Sequence, residues 1–467
     1  MKHHMLKLLV VALCATPLFA APAAGEPESS AAAVEAEIRE ELTSLRVRLL
    51  KLEAMLDSLQ EQEAAPAVAA AVEPAAASPG TATAEATAPA SAEPLVADLG
   101  NRKATWTPPK AVSDAEPSQE TPVGVASSGG QAISFTGLLD TYLSYNTNSP
   151  ENGYNDLYYT NPNSRGFGLN QAKLEIDASG DGPIGFRTDI WFGSGARLFV
   201  LEPNADQIGE RLYLQQAYGY YQFDNGAELD VGLFGTIAGL EVAESHLNWN
   251  YSRGILWAWN EPFGHLGAKY SVPVSDTFTA TFMLVNGFDN TWDQNSGKSY
   301  GLQGSFAPSD SFNTTLTWIN GPENWNTNEG WLKNVSWNFY GMLHERFEIM
   351  GNLDYIQNSD ETGSYTSWGM GGYARAHLSD QVRLAYRMEF LDDSQARSTL
   401  VEQTLKESTF TFEVQPVKDD PRFLTRIEYR RDWSDVPYFQ CSDCRDGVAL
   451  NQNTITLGFM WVFGPKE

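Results

Sequence analysis

The sequence predicts an all-β protein, a transmembrane antiparallel up-and-down β-barrel of about 16 strands over residues 131–467. From Ile133 onward, apolar residues alternate with polar or small ones, as in strands whose side chains project to opposite faces. The joints between these segments are alternately short and long. No apolar run reaches the length of about 20 residues that a membrane-spanning helix needs. Since no helical segment remains to cover the apolar strand faces, we expect lipid to cover them.

The last segment, residues 453–463, shows the alternation most clearly. One face is apolar and aromatic, and the other is smaller and more polar. The first face carries Ile455, Leu457, Phe459, Trp461 and Phe463, and the second carries Thr454, Thr456, Gly458, Met460 and Val462. A final strand that closes on an aromatic residue resembles the last strand of bacterial outer-membrane barrels, although four residues follow Phe463 here.

The joints predict how the strands are connected. Short joints contain turn-forming residues, as in Asp224-Asn225-Gly226, whereas long joints such as residues 237–262 hold Asn, Gly, Trp and acidic residues. This asymmetry is typical of outer-membrane barrels and places both ends of the barrel on the periplasmic side. The predicted strands are 133–145, 169–178, 184–193, 212–223, 228–236, 263–272, 276–286, 299–307, 311–319, 334–344, 346–357, 365–378, 381–391, 403–415, 422–431 and 453–463.

Three segments precede the predicted barrel. Residues 1–23 have the parts of a secretory signal peptide, because Lys2 and Lys7 precede an apolar run that is followed by small residues. Residues 31–63 form a predicted coiled coil. Residues 64–130 are rich in Ala, Pro, Thr, Glu and Ser without apolar periodicity, so we expect a disordered linker that leaves the coiled coil in the periplasm.

The coiled coil is predicted from apolar residues at strict heptad steps with flanking charges that attract in a parallel pair. We therefore expect a homo-oligomer, and a trimer would suit a trimeric barrel. A lone amphipathic helix remains the alternative, because three heptads are close to the lower limit for the pattern. The apolar positions are Ile38, Leu42, Leu45, Leu49, Leu52, Leu56 and Leu59.

Charge and cysteine content exclude some functions. A net charge of -28 argues against nucleic-acid binding, which needs a basic surface. Once the signal peptide with Cys14 is removed, Cys441 and Cys444 remain, and we expect them to form a disulfide in an oxidising compartment. Only Asp443 could add a ligand beside them, so we expect no metal site and no cofactor.

Strand alternation also assigns charged residues to the inside of the barrel. Charges facing hydrocarbon would cost several kcal/mol each, and a water-filled lumen removes that cost. Pairs that merely brace the wall remain the alternative, although sixteen strands enclose more space than side chains alone fill. The expected lumen wall includes Lys173, Arg187, Asp189, Lys269, Arg383, Arg387, Glu389, Arg426 and Arg430.

Several short motifs carry a family resemblance over residues 131–463. They are Gln215-Gln216-Ala217-Tyr218, Gly232-Leu233-Phe234-Gly235, Asn248-Trp249-Asn250-Tyr251-Ser252-Arg253 and His265-Leu266-Gly267-Ala268-Lys269-Tyr270. This pattern resembles the putative beta-barrel porin family of Gram-negative outer membranes, the OmpL-like porins. The resemblance implies passive passage of small hydrophilic solutes.

The third long loop is the longest and contains the candidate channel constriction. In general porins this loop folds into the barrel, so we expect Glu241, Glu244 and Arg253 to line the narrowest point. Glu241 and Glu244 opposite the basic wall residues would create a transverse field and a weak preference for cations. A surface loop whose tryptophans pack on the rim is the alternative.

Taken together, these features predict an outer-membrane porin for small hydrophilic solutes and ions. The alternative is a structural anchor in which the barrel sits in outer-membrane lipid while the coiled coil contacts the cell wall. We do not expect an enzyme, because His246 beside Ser245 is only a weak pair and His344 and His377 lie near the short turns.

Overall fold

The computed structural model describes residues 126–128, 131–180, 182–195, 212–360, 363–418 and 420–464. Within those ranges no helix has both the length and the apolar character needed to cross a membrane. The predicted signal peptide and coiled coil lie outside the described residues, as does the predicted linker up to residue 125. Residues 126–128, at the end of that linker, form a short strand rather than a disordered segment.

The described residues form a closed antiparallel barrel of sixteen strands, which confirms the predicted fold class. The strands are β2 (Gln131–Asn146), β3 (Arg165–Gly180), β4 (Ile184–Phe192), β5 (Leu212–Gln222), β6 (Glu228–Gly235), β7 (Gly264–Ser275), β8 (Phe278–Val285), β9 (Ser299–Ser309), β10 (Phe312–Pro322), β11 (Trp331–His344), β12 (Phe347–Asp360), β13 (Gly363–Ser379), β14 (Val382–Asp393), β15 (Gln403–Val414), β16 (Phe423–Ser434) and β19 (Asn451–Phe463). Each pairs with its sequence neighbour, and β19 pairs with β2 to close the ring.

Five smaller elements accompany the barrel in the described residues, and one of them is a 3-10 helix at Ser245–Leu247. Strand β1 (Ala126–Ser128) pairs with the first residues of β2, beyond the point where β19 ends opposite Gly137. In the last long loop, β17 (Phe439–Gln440) pairs with β18 (Val448–Ala449). The third long loop contains the short helix α1 (Ile255–Trp259). None of these elements was predicted, because each is too short to show a period in the sequence.

The two faces of each strand have the predicted orientation. In β16, Ile427 is 55% exposed on the outside, whereas its neighbours Arg426 and Glu428 are buried on the inside. In β19, Ile455 is exposed and Thr454 and Thr456 are buried. The apolar outer surface suits contact with lipid. The charged interior suits contact with water or with polar groups of the protein.

One end of the barrel carries short turns and the other carries long loops; we refer to these as the turn end and the loop end. The turn between β5 and β6 shows why turn residues mark the turn end. Gly226 has φ +81°, a left-handed conformation that glycine adopts without strain. The Asn225 side chain accepts a hydrogen bond from the Ala227 N–H at 3.1 Å, which fixes the turn.

The orientation of β9 yields a stability prediction. Leu302 is exposed on the outer face, and Ser305 lies on the inner face of the same strand. Leu302→Arg should lower the free energy of unfolding by about 2–4 kcal/mol, since it places a charge in hydrocarbon. Ser305→Arg is the control and should have little effect. Denaturant unfolding in lipid vesicles measures both, and equal losses would contradict the assigned faces.

A second prediction concerns the segments that precede the barrel. Barrel strands pair only with one another, apart from the three residue pairs between β1 and β2. Deletion of residues 26–130 should therefore leave a barrel that resists protease and shifts on heating in detergent gels. Loss of the heat-dependent band would show that the N-terminal region is required for folding.

Candidate functional site

Residues 236–263, between β6 and β7, form a loop that lies inside the barrel; we call it the inner loop. A loop on the protein surface is normally exposed, but Asn250, Tyr251 and Ser252 are fully buried and Arg253 is 1% exposed. Their hydrogen-bond partners are inward-facing side chains of the barrel strands. The inner loop therefore occupies the lumen.

The first arm of the inner loop is attached to the wall at β8–β13. The Gly239 N–H donates to Ser336 Oγ at 3.2 Å, and Asn338 Nδ2 donates to the Gly239 carbonyl at 3.0 Å. Leu240 packs among buried residues of β11–β14 that include Tyr340 and Tyr373. Paired donors and acceptors on the wall thus replace the water that would otherwise solvate this backbone.

The tip of the inner loop is held by β16. Arg426 donates to the carbonyls of Ser245 at 2.6 Å, Asn248 at 2.6 Å and Asn250 at 3.1 Å. On the opposite side of the tip, Tyr251 OH donates to Asp140 Oδ1 at 2.7 Å. One guanidinium therefore fixes three successive turns of backbone, a task that its rigid fork of donors suits.

Further charged wall groups hold the segment that follows the tip. Arg387 donates to the Ser252 carbonyl at 2.6 Å, and Arg430 donates to the Arg253 carbonyl at 2.6 Å. Glu428 accepts hydrogen bonds from the N–H groups of Tyr251 at 2.6 Å and Ser252 at 2.9 Å. The wall thus satisfies both backbone donors and backbone acceptors of the inner loop.

The returning arm contains α1, which lies beneath two other loops. Ile255 and Leu256 pack with Leu157 of the first loop and Phe439 of the last loop. Glu389 of β14 accepts a hydrogen bond from the Leu256 N–H at 3.2 Å, near the start of the helix. The inner loop is therefore bound to the wall at its side and covered at the loop end.

The predicted constriction residues are buried and paired. Glu241 accepts hydrogen bonds from Arg387 Nη1 at 2.7 Å and from the Gly254 N–H at 2.5 Å. Glu244 contacts Lys173 Nζ and accepts a hydrogen bond from Gln215 at 3.3 Å. Glu241 thus touches Arg387, one of the bases it was expected to face across open water, whereas Glu244 touches Lys173 instead of one of the expected arginines.

Arg253, the third predicted constriction residue, binds within the inner loop itself. It donates to the Tyr251 carbonyl at 2.8 Å and to Ser245 Oγ at 2.7 Å. Its guanidinium thus closes the tip on the following segment. Arg253 braces the inner loop and has almost no surface available to a solute.

Glu244 remains ionised despite its burial. Burial raises the pKa of its carboxyl, but the Lys173 ammonium lowers it more, and the resulting pKa is about 2. A carboxyl with a lowered pKa stabilises the folded state above its ordinary pKa and loses that contribution as the pH falls toward about 2. The Glu244–Lys173 contact therefore persists at neutral pH.

The other predicted wall residues also face inward and are paired. Lys269 lies 2.9 Å from Asp230, and Arg383 lies 2.6 Å from Glu413. Asp189 is completely buried and lies 3.1 Å from Lys173. Glu389 accepts a hydrogen bond from Tyr373 OH at 2.8 Å. Each of these charged side chains therefore has a partner within the protein and needs no solute to bind it.

One charged pair retains access to solvent. The side chains of Arg187 and Glu175 are 29% and 25% exposed and lie 3.1 Å apart on β4 and β3. Arg187 also binds Asp189, which joins this pair to the buried Lys173–Glu244 contact. At the tip of the inner loop, Leu247 is 46% exposed. These accessible groups are candidates for the lining of a channel.

Cys441 and Cys444 form a disulfide in the last loop. That loop is joined to the first loop by the Gln440 N–H, which donates to Asp156 at 2.7 Å, and by the Ser442 N–H, which donates to the Asn148 carbonyl at 3.1 Å. Among the described residues no group of three or more His, Cys, Asp or Glu side chains is arranged to hold a metal ion.

Sequence analysis missed some residues of the inner-loop site. Asp140, Glu407 and Asp432 face inward and are fully buried. Strict alternation along β2, β15 and β16 could have identified them, since each lies two residues from another inward-facing residue. Asn338 and Ser336 carried no usable signal, because neutral polar residues occur on either face of a strand.

The two arginines that share Glu413 provide a matched test of inner-loop attachment. Arg426 and Arg383 both bind Glu413, but only Arg426 also binds the inner loop. Arg426→Gln and Arg383→Gln should each cost about 3–5 kcal/mol of stability, because each breaks a buried ion pair. Only Arg426→Gln should make the single-channel current larger or noisier. Equal currents in the two variants would show that the loop tip does not depend on Arg426.

Comparison with known proteins agrees with this architecture. A family model described as Putative beta-barrel porin-2, OmpL-like, matches residues 132–463. No curated protein sequence matches the chain significantly. An anion-selective porin from Comamonas acidovorans has a similar structure, with a TM-score of 0.50 and 11% identity over 71% of this chain and 100% of that chain. The outer membrane channel DcaP of Acinetobacter baumannii has a TM-score of 0.51 and 13% identity over 72% of this chain and 99% of that chain.

At such low identities, the two solved structures show a shared fold and nothing more specific. The family match shows more, since it spans well over half of the 467 residues and covers β2 to β19 almost completely. The barrel, the apolar outer surface and the loop inside the lumen all agree with it. The chain belongs to the Putative beta-barrel porin-2, OmpL-like, family of outer-membrane barrels.

Proposed function

We propose that the protein is an outer-membrane porin that forms a water-filled channel for passive diffusion of small hydrophilic solutes and ions. The observation that carries this proposal is the Arg187–Glu175 pair, whose members keep contact with solvent on the inner wall beside the inner loop. Charged side chains of both signs in a wide barrel suit hydrated solutes. The channel then runs between the inner loop and the β3–β4 wall.

Charge on the inner wall supports a preference for cations. Eight wall bases of the described strands each lie within salt-bridge distance of an acid: Lys173, Arg187, Lys269, Arg375, Arg383, Arg387, Arg426 and Arg430. Glu428 faces inward and accepts hydrogen bonds from neutral donors instead, the N–H groups of Tyr251 and Ser252 and the hydroxyl of Thr411. An acid without a base in contact favours cations.

The candidate path passes through the predicted lumen wall at Lys173, Arg187 and Asp189. Glu241, Glu244 and Arg253 contribute to the constriction in this proposal by fixing the position of the inner loop. The charges of Glu241 and Glu244 act weakly on a passing ion, because each contacts a base, and Arg253 is buried against backbone and hydroxyl acceptors of the inner loop. Selectivity is thus assigned to the exposed Glu175 and Arg187.

Opposite charges on adjacent strands allow a signed test. The purified protein should conduct in planar bilayers and show a reversal potential of weak cation preference under a salt gradient. Glu175→Gln should shift the reversal potential toward anions, and Arg187→Gln should shift it toward cations. Both effects follow from an unscreened charge within a passage narrower than the Debye length of about 8 Å.

Glu402→Gln serves as the control, because Glu402 is an exposed acid outside the barrel strands. Its reversal potential should match that of the unmodified protein. If neither Glu175→Gln nor Arg187→Gln shifts the reversal potential, the ion path does not run along β3 and β4. A folded barrel with no conductance at all would instead favour the structural anchor.

Homo-oligomerisation through the heptad segment is a further part of the proposal. Its support is the strict spacing of apolar residues over residues 31–63. A trimer with its N-terminal segments in the periplasm would bring three such helices together beneath three barrels. In this arrangement the coiled coil is also available for contact with the cell wall.

A further inference from the structure

Two carboxyl groups meet where the two arms of the inner loop pass the β12 wall. Glu261 lies at the end of the returning arm, and Asp354 lies on the inner face of β12. Asn352 Nδ2 donates to Asp354 Oδ2 at 2.7 Å and is 3.4 Å from Glu261 Oε1, so one amide bridges both carboxyls. Glu261 is 5% exposed and Asp354 is fully buried.

The second oxygen of each carboxyl has no hydrogen-bond donor among the described residues. These atoms are Glu261 Oε2 and Asp354 Oδ1, and both are buried. Because a single amide nitrogen of Asn352 reaches an oxygen of each carboxyl, the two carboxyls are neighbours. One proton held between them would give both orphan oxygens a partner, whereas two buried carboxylates without a cation would repel each other.

The surrounding charges do not supply a cation for this pair. Among the described residues, no Lys, Arg or His side chain lies within salt-bridge distance of Glu261 or Asp354. Arg387, which binds the neighbouring Glu241, has its donors occupied by Glu241, Glu407 and Ser252. A proton is therefore the simplest counter-charge for the pair.

Gly239 connects the pair to the first arm of the inner loop. A Cβ built on Gly239 would lie 1.8 Å from Glu261 Oε2, so only glycine permits this approach, and its φ is +92°. The backbone of the first arm thus touches the carboxyl of the returning arm. Glu261 therefore lies against both the first arm of the inner loop and the β12 wall.

We propose that Glu261 and Asp354 form a proton-binding clasp that holds the returning arm of the inner loop against the β12 wall. With one shared proton, the carboxyls are bonded and the loop stays against the wall. When the proton leaves, two adjacent carboxylates repel, the returning arm separates from the wall and the inner loop becomes mobile. The effect on current rests on the proposed channel function, but the clasp itself does not.

The direction of the pH dependence follows from the burial of Glu261. Burial, followed by the charge of Asp354, raises the pKa of the Glu261 carboxyl well above its ordinary value, and Glu241 and Glu389 add to the rise. A group whose pKa is raised in the folded state loses its stabilising contribution as the pH rises through that pKa. The clasp is closed at lower pH and opens under alkaline conditions.

A spin label at the tip of the inner loop would test the clasp without measuring current. Leu247 is exposed, so Leu247→Cys can be labelled while Cys441 and Cys444 remain joined. The mobility of the label should rise as the pH is raised from about 6 to about 9, because a raised pKa favours the shared proton at the lower pH and its loss at the higher one. In Glu261→Gln, the amide donates to Asp354 permanently, so the label should stay immobile at both pH values.

Asp354→Asn provides a second variant should Glu261→Gln fail to fold, and Glu402→Gln is the control that should keep the full pH response. Infrared difference spectra give an independent readout, since the carbonyl absorption of protonated carboxylic acids that is lost between acidic and alkaline pH should be smaller in Glu261→Gln than in the unmodified protein. A label that is equally immobile at both pH values in the unmodified protein would overturn the proposal. So would a pH response that persists in Glu261→Gln.

In planar bilayers, current noise should rise at alkaline pH in the unmodified protein and not in Glu261→Gln. A protein that shows the spin-label response but no conductance would support the clasp and contradict the channel. A protein that conducts but whose label mobility does not depend on pH would support the channel and contradict the clasp. The two proposals can therefore be contradicted independently.

Discussion

The inner loop can occupy the lumen only because charged side chains of the wall bind its peptide groups. A loop of irregular backbone cannot satisfy its own donors and acceptors, and the interior of the barrel offers it limited water. Arg426, Arg387 and Arg430 donate to its carbonyls, and Glu428 accepts from its N–H groups. Without these contacts, each buried peptide group would carry a desolvation cost of about 1–3 kcal/mol.

This use of charge has a consequence for transport. Arg426, Arg387 and Arg430, which fasten the inner loop, each contact an acid, so they contribute little to the field that a passing ion meets. In the proposed channel, the exposed Arg187 and Glu175 on β4 and β3 then have more influence than the buried charges, because they combine charge with solvent contact. A large charge content inside a barrel is therefore a poor guide to selectivity until its pairing is known.

The loops at the loop end of the barrel cover the inner loop and contact one another. Phe439 and Leu157 cover α1, and Asp156 joins the first and last loops across the seam between β2 and β19. The Cys441–Cys444 disulfide lies beside that contact and limits the freedom of the last loop. Wall, inner loop and mouth are thus successive layers, each of which restrains the next.

The sequence by itself determined the sixteen strands, their inward and outward faces and the short turns, because a period of two and turn chemistry are local properties of the chain. Ile427 and Arg426 could be assigned to opposite faces from their positions alone. Only the tertiary structure decided which inward charges touch one another. Glu241 and Arg387 are far apart in sequence, and their contact depends on the path of a loop that has no regular period. For the same reason, the pairing of Glu261 with Asp354 could not be predicted, since it arises where a returning arm happens to meet one inward position of β12.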